Sequence, residues 1–256
     1  MSAPVNAPVI LHADQEHSGI RLAVFAGLFV GFLLGFRLVA LALETLASPG
    51  WQDYVPFLSC VGAVPISLAF IWGLERFLKR VWHSGLSIAL DARGLFVDDR
   101  RDGAKPHPAD EPAMTWSANM SQLRWYFRLS GYARGGRERR VPAKWLCLAA
   151  ELQQDEARLS VFTFMPPDKA AAWVETPKQG FHFVNQAELY QTSVRSRIGP
   201  PVRPTIPQHL LQTKDARYWL AERRRWEFGI ELSPHDFATL LRFADQGARE
   251  SVPPTN

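Results

Sequence analysis

The sequence has very few cysteines, the residue that builds disulfide frameworks and many metal centres. Its two cysteines are Cys60, inside a long apolar run, and Cys147, in a stretch with the pattern of a buried strand. Thiols in these two settings cannot readily meet, so we expect neither a disulfide nor a zinc site. The seven histidines show no HExxH motif and no paired metal spacing. We therefore predict no metal ion and no cofactor.

Motifs of the common enzyme classes are also lacking. The sequence has no Walker loop, no GxGxxG, no GxSxG and no kinase signature. The acidic run at residues 98–102 contains Arg100 and Arg101, which would neutralise it, so we expect a solvated turn rather than a cation site. His182 lies between two phenylalanines and is expected to be an exposed imidazole on a short strand. No catalytic residue is predicted.

Charge is nearly absent from residues 20–74, where the charged side chains are Arg21, Arg37, Glu44 and Asp53. Residues 54–74 carry no charge at all, and at about 1.5 Å per residue they match a hydrocarbon core of about 30 Å. The sequence predicts a transmembrane hairpin over residues 20–80, with helices at about 20–43 and 54–74. The first span exceeds the usual core of a signal peptide, so we expect it to be retained.

Arg37 is the one charge well inside the first span. Its side chain either extends to the nearer membrane interface, which is the reading we favour, or makes an intramembrane contact with a partner subunit or substrate.

Small residues recur along one face of each predicted span, where they let helix backbones approach closely. They are Ala23, Gly27, Gly31 and Gly35 in the first span and Ser59, Ala63 and Ser67 in the second. We expect these stripes to pack the two helices together, and an oligomer contact through the glycine face is the alternative.

The placement of basic residues predicts the orientation of the hairpin. The loop at residues 45–53 has no lysine or arginine, whereas Arg76, Lys79 and Arg80 follow the second span directly. By the positive-inside rule, the loop lies outside the cell membrane and both termini are cytoplasmic. These three residues are also candidate contacts for anionic lipid headgroups.

The soluble part is predicted to be α+β. We expect a flexible N-terminal tail at 1–19, a β-rich domain at 84–197, a C-terminal helical extension at 208–248 and a disordered tail at 252–256. Period-two apolar patterns predict a hairpin at residues 86–97 and strands at 114–116, 123–129, 145–152 and 159–164. Helices are expected at 185–197, at 214–226 with three exposed arginines, and from Ser233 to Gly247.

A glycine-rich basic connection lies at residues 131–140. It contains Arg134, Arg137, Arg139 and Arg140. These side chains are further candidate contacts for anionic lipid, and an ordinary solvated loop is the alternative. After residue 74 the chain has 27 basic against 21 acidic residues, an excess that suits an anionic surface. Nucleic acid is a less favoured partner, because the arginines are spread over distant segments.

Two apolar spans followed by the sequence LDARGLFV at residues 90–97 resemble the YcxB-like bacterial membrane proteins with a pleckstrin-homology-like (PH-like) domain. The pairs Thr115-Trp116 and Val141-Pro142, the latter followed by Ala143-Lys144, extend the resemblance over roughly residues 20–175. The resemblance implies a bacterial inner-membrane location, a barrel-like antiparallel sheet closed by a helix, and a binding or scaffolding role.

Three functions follow from these features. The first is a membrane protein whose cytoplasmic PH-like domain binds protein or lipid as a non-catalytic scaffold. The second is an accessory subunit of a transport or envelope-biogenesis assembly, with a homo-oligomer or another membrane protein as partner. The third is a membrane-bound enzyme of unknown reaction.

Overall fold

The computed structural model describes residues 8–14, 18–46, 49–101, 111–117, 119–176, 180–189 and 203–250. The chain divides into a helical unit, Asp14–Ser84, and an α+β unit made of the chain before and after it. The predicted tail at 252–256 lies outside the described residues.

The helical unit consists of two long helices joined by a 3₁₀ helix at Pro49–Tyr54. Helix α1 covers Ser18–Leu46 and helix α2 covers Val55–Val81. Both begin close to the predicted positions but extend further, since helical hydrogen bonding continues past the predicted spans, in α2 through Lys79 and Arg80 to Val81. Pro56 lies in the first turn of α2, where its missing N–H costs little.

An antiparallel four-stranded sheet, sheet A, opens the α+β unit. Its strands are β1 (Val9–His12), β2 (Leu86–Leu90), β3 (Gly94–Asp99) and β4 (Met114–Thr115), in that spatial order. The β2–β3 hairpin is confirmed. A glycine in a hairpin turn often supplies a positive φ, but the φ of Gly94 is not positive. Instead, a Cβ there would lie 2.1 Å from the Met114 carbonyl oxygen, so glycine is needed for the close approach of β4.

Strand β1 corrects the prediction of a wholly flexible N-terminal tail. Val9 pairs with Leu90 and His12 with Ser87, and the Leu11 side chain is 1% exposed. A four-residue strand is too short to give a recognisable period in the sequence. Because β1 and β2 are antiparallel neighbours, the chain leaves β1 towards the helical unit and enters β2 from it at the same end of sheet A.

A five-stranded mixed sheet, sheet B, forms the centre of the α+β unit. Its strands are β5 (Ser121–Arg128), β6 (Leu146–Gln154), β7 (Ala157–Met165), β8 (His182–Phe183) and β9 (Ile230–Glu231). The order is β8-β5-β6-β7-β9, with an antiparallel meander in the middle and a parallel strand at each edge. The three long strands confirm the sequence prediction, and the two-residue edge strands were not predicted.

Both faces of sheet B are buried, and one of them faces sheet A. Helix α3 (Pro167–Val174) and helix α6 (Pro234–Glu250) contribute to the same apolar cluster through Ala170, Phe237 and Leu240. The opposite face is covered by α4 (Gln208–Leu211) and α5 (Ala216–Phe228), with Trp219 buried against Trp125 and Phe127.

The C-terminal segment is therefore part of the core rather than a separate extension. Strand β9 adds to sheet B, and α5 and α6 cover its two faces. Helix α6 also continues past the predicted stop at Gly247. Glycine at this position serves helix packing rather than helix termination, because a Cβ there would lie 2.6 Å from Trp116. Of the helix predicted at 185–197, the structure has a 3₁₀ turn at Gln186–Glu188, and residues 190–202 lie outside the described residues.

Candidate functional site

The small-residue stripes lie at the contact between α1 and α2. The Ser59, Ala63 and Ser67 side chains are 0%, 0% and 2% exposed, and the Ser67 hydroxyl donates to the Leu28 carbonyl oxygen over 3.2 Å. A Cβ at Gly31 would lie 2.7 Å from the ring of Phe70. Gly27 and Gly35 are buried in the same contact, and Ala23 is half-buried. One chain thus uses the predicted packing face internally.

The basic residues of the helical unit lie on its surface. Arg37 is exposed, and among the described residues it has no hydrogen-bond or ion-pair partner. The Arg76 guanidinium lies 5.4 Å from the centre of the Trp72 ring, Lys79 pairs with Glu75 at 2.7 Å, and Arg80 is exposed.

The basic connection at residues 131–140 contains a 3₁₀ helix at Gly136–Arg140. Arg134 donates to the Val141 carbonyl oxygen at 2.5 Å, and Arg137 donates to the Gly229 carbonyl oxygen at 3.0 Å. These two guanidinium groups satisfy backbone carbonyls of their own domain, and their contact with anionic lipid stays a prediction. Arg139 and Arg140 are exposed.

A buried carboxylate, Glu222, links α5 to sheet B. Its side chain is fully buried and accepts hydrogen bonds from Trp125 Nε1 at 2.8 Å, from Arg203 Nη2 at 2.6 Å and from Arg225 Nη2 at 2.8 Å. Burial alone would raise the pKa of Glu222, but Arg225 and Arg203 hold that pKa below its ordinary value. The carboxylate is therefore charged at neutral pH.

The network continues from Arg225 to Glu138, whose carboxylate accepts from Arg225 Nη2 at 2.6 Å and from the Tyr132 hydroxyl at 3.0 Å. With Arg203 and Glu222, the buried network has two positive and two negative charges and is neutral. Such a neutral, mutually paired set joins α5, the basic connection and the sheet, and it has a structural role.

A second polar region on the same face of sheet B is open to solvent, and we call it the arginine cleft. It holds about 310 Å³ between α5 and the end of sheet B where β5 begins. Its lining residues are Ser121, Gln122, Leu123, Glu151, Gln153, Arg158, Arg217, Leu220 and Arg224. On α5 the positions Arg217, Leu220 and Arg224 are three and four residues apart, which places them on one helix face.

The three arginines of the arginine cleft differ in whether a carboxylate pairs with them. Arg224 binds Glu151 through Nε and Nη2, both at 2.6 Å, and the Ser160 hydroxyl also donates to that carboxylate at 3.1 Å. The hydrogen bonds from Arg224 to Glu151 raise the pKa of Arg224 further. Arg158 and Arg217 have no carboxylate partner among the described residues. The cleft thus carries an excess of two positive charges.

His182 and Cys147 are not among the residues that line the arginine cleft. The His182 ring stacks on Tyr218 with centroids 4.0 Å apart, and Nε2 lies 3.2 Å from the Asp215 carboxylate. Burial raises the pKa of the Cys147 thiol well above its ordinary value, which keeps it protonated. Among the described residues, no group of histidine, cysteine and carboxylate side chains could hold a metal ion.

Sequence reasoning missed both polar regions. Consecutive residues of a helix point about 100° apart, so Arg223, Arg224 and Arg225 face three different directions, and Arg225 is 3% exposed. The isolated Glu151 within the apolar β6 pattern was the one available signal of a polar site. Comparison with protein-family models, curated proteins and solved structures finds no match.

Proposed function

We propose that the chain is an integral membrane protein that crosses a bilayer twice and carries a non-catalytic binding domain on the cytoplasmic side. The supporting observation is a pair of candidate membrane spans, Gly19–Leu46 within α1 and Gly50–Val81 across the 3₁₀ helix and α2, with mean hydropathy 2.3 and 2.0. Only 17% of the most apolar window of each helix is buried. A core helix of a soluble domain would be largely buried, whereas lipid contact accounts for apolar side chains that face outward.

The pairing of β1 with β2 supports a hairpin topology. Residues on both sides of the helical unit belong to one sheet, so both must lie on the same side of the bilayer, and the number of spans must be even. The basic residues Arg76, Lys79 and Arg80 after α2 support a cytoplasmic location for that side, in a bacterial inner membrane.

The domain is proposed to be PH-like and related to the YcxB-like group. Two successive antiparallel meanders, β2-β3-β4 and β5-β6-β7, followed by α3 with Ala170 in the core, support this relation. In such a domain the arginine cleft is the candidate ligand site, because guanidinium groups recognise anionic partners by geometry as well as charge.

Alkaline carbonate extraction of isolated membranes tests the proposal. A protein held by two transmembrane helices stays in the membrane pellet at high pH and is released by detergent. Release of the chain into the carbonate supernatant, alongside a peripheral marker protein, would contradict membrane insertion.

A second candidate function is that of an accessory subunit, and the exposed Arg37, which has no ion-pair partner in the part of the chain that the structure describes, favours it. An arginine in a membrane span is costly unless it reaches water or a partner. If Arg37 contacts a partner, Arg37→Gln should remove a stoichiometric protein from detergent-purified samples without releasing the chain from the membrane. Identical co-purification by wild type and variant would rule out this role for Arg37.

A further inference from the structure

The arginine cleft has the size of a small-molecule site. Its volume of about 310 Å³ lies at the lower end of the roughly 300–1,000 Å³ that ligand pockets hold. Strands β5, β6 and β7 form its floor and α5 one wall, so the site is built on rigid elements rather than on loops. A rigid floor keeps the lining groups in place before any ligand arrives.

The described part of the protein does not balance the charge in the cleft. Glu151 is the one carboxylate among the lining residues, and Arg224 and Ser160 already occupy both of its oxygens. This pairing also fixes the Arg224 side chain and leaves its Nη1 without a hydrogen bond among the described residues. The Glu151 charge therefore compensates Arg224 alone, and the Arg158 and Arg217 charges remain uncompensated.

The Arg217 side chain is partly held as well. Its Nη2 donates to the Tyr218 hydroxyl at 3.2 Å, and its guanidinium lies 4.9 Å from the centre of the Tyr218 ring. The Tyr218 hydroxyl and the Tyr218 ring are both uncharged, so these contacts order the Arg217 side chain without neutralising its charge. Less conformational entropy is then lost when a ligand binds.

We propose that the arginine cleft binds the phosphate group of a small phosphorylated ligand. A phosphate monoester carries about −1.5 to −2 at neutral pH, which matches the two uncompensated guanidinium charges. Arginine binds phosphate oxygens in a bidentate fashion. The Leu123 and Leu220 side chains in the lining provide a surface for the apolar part of the molecule. This inference rests on the proposed binding role of the domain and not on membrane insertion.

Two sources present this group, namely a soluble phosphate monoester and the headgroup of phosphatidic acid. The test uses the full-length protein in detergent and measures its thermal unfolding by tryptophan fluorescence at constant ionic strength. One arm adds glycerol phosphate, with chloride as reference. The other adds phosphatidic acid to the micelles, with phosphatidylcholine as reference. A ligand that binds only the folded state raises the unfolding temperature.

The test variant is the double substitution Arg158→Gln with Arg217→Gln. Its control is Arg128→Gln with Arg242→Gln, which removes the same charge from exposed positions outside the cleft. All four side chains are exposed, so both variants should unfold at the wild-type temperature when no ligand is added. Each lost charged hydrogen bond should weaken binding by about tenfold or more.

The proposal predicts stabilisation of wild type and control in at least one arm and its loss in the test variant. Stabilisation by glycerol phosphate identifies a soluble ligand, and stabilisation by phosphatidic acid alone identifies a lipid headgroup. Equal stabilisation of all three proteins, or none in either arm, overturns the proposal. Release of the chain by carbonate would contradict membrane insertion without affecting the phosphate proposal, because the binding assay does not depend on insertion.

Discussion

At the residue scale, three consecutive arginines of α5 have three different environments. Arg223 pairs with Glu227 at the surface, Arg224 pairs with Glu151 in the arginine cleft, and Arg225 is buried with Glu222. The helical rotation of about 100° per residue assigns each to a different partner. Composition alone cannot distinguish them.

We expect Glu222→Gln to destabilise the α+β unit by about 3–5 kcal/mol, because it leaves Arg203 and Arg225 buried without their shared counter-charge. Urea unfolding followed by tryptophan fluorescence measures the change. Glu227→Gln is the matched control, and since its pair with Arg223 is exposed, it should cost at most about 1 kcal/mol. Equal effects of the two substitutions would show that the buried network does not stabilise the fold.

The stability that Glu222 provides should also depend on pH. Its folded pKa lies below the ordinary 4.5, so the unfolded state binds the proton first as pH falls. The contribution is therefore complete above about pH 4.5 and is lost as pH falls through the folded pKa. Between pH 7 and pH 3, the difference in unfolding free energy between wild type and Glu222→Gln should shrink only in the acid range. A constant difference down to pH 3 would contradict the assigned pKa direction.

At the element scale, the long elements could be predicted and the short ones could not. Strands β5, β6 and β7 and the helices α1, α2 and α6 have enough residues for a period to appear. Strands β8 and β9 have two residues each and exist because a long strand beside them offers hydrogen bonds. Their position depends on tertiary contacts that no local pattern encodes.

Helix packing gives a prediction at this scale. Gly31→Leu should separate α1 from α2, because a Cβ at this position would lie 2.7 Å from Phe70, whereas a Cβ at Gly73 would meet no atom within 4 Å, which makes Gly73→Leu the control. In a Cys60→Ser background, Val39→Cys with Gly62→Cys should form a disulfide, since the Cβ atoms would lie 3.7 Å apart.

The yield of this disulfide, counted by mass-tagging the thiols that stay free, reports the helix contact. It should fall in the Gly31→Leu protein and stay unchanged in the Gly73→Leu protein. Undiminished cross-linking with Gly31→Leu would show that the two helices of one chain pack together without the glycine stripe. The stripe would then be assigned to a contact between copies of the chain.

At the scale of the whole molecule, the helical unit is inserted between two adjacent strands. Ala13 N–H donates to the Leu86 carbonyl oxygen at 3.1 Å, so the two ends of the insertion are in contact. The sequence predicted the two helices but not this closure, because the four residues of β1 were assigned to a tail. The arginine cleft could not be predicted either, because its lining residues come from four separate elements, β5, β6, β7 and α5.

We therefore expect residues 14–84 to be replaceable by a short glycine-rich turn. The resulting chain should be soluble without detergent and should unfold cooperatively, because β1 and β2 keep their register and both apolar clusters remain intact. Size-exclusion chromatography and circular dichroism measure this. An aggregated product would show that the α+β unit needs the helices in order to fold.

The central claim is that the chain crosses a membrane twice, with β1 and the α+β unit on the same side. Cysteines introduced one at a time at the exposed positions Pro8, Gln52 and Glu156, in a Cys60→Ser background where the remaining Cys147 is buried, can be labelled with an impermeant maleimide in right-side-out vesicles. The account predicts labelling at Gln52 alone, with Pro8 and Glu156 labelled only after the vesicles are opened. Labelling of Gln52 together with Glu156 in sealed vesicles would contradict it.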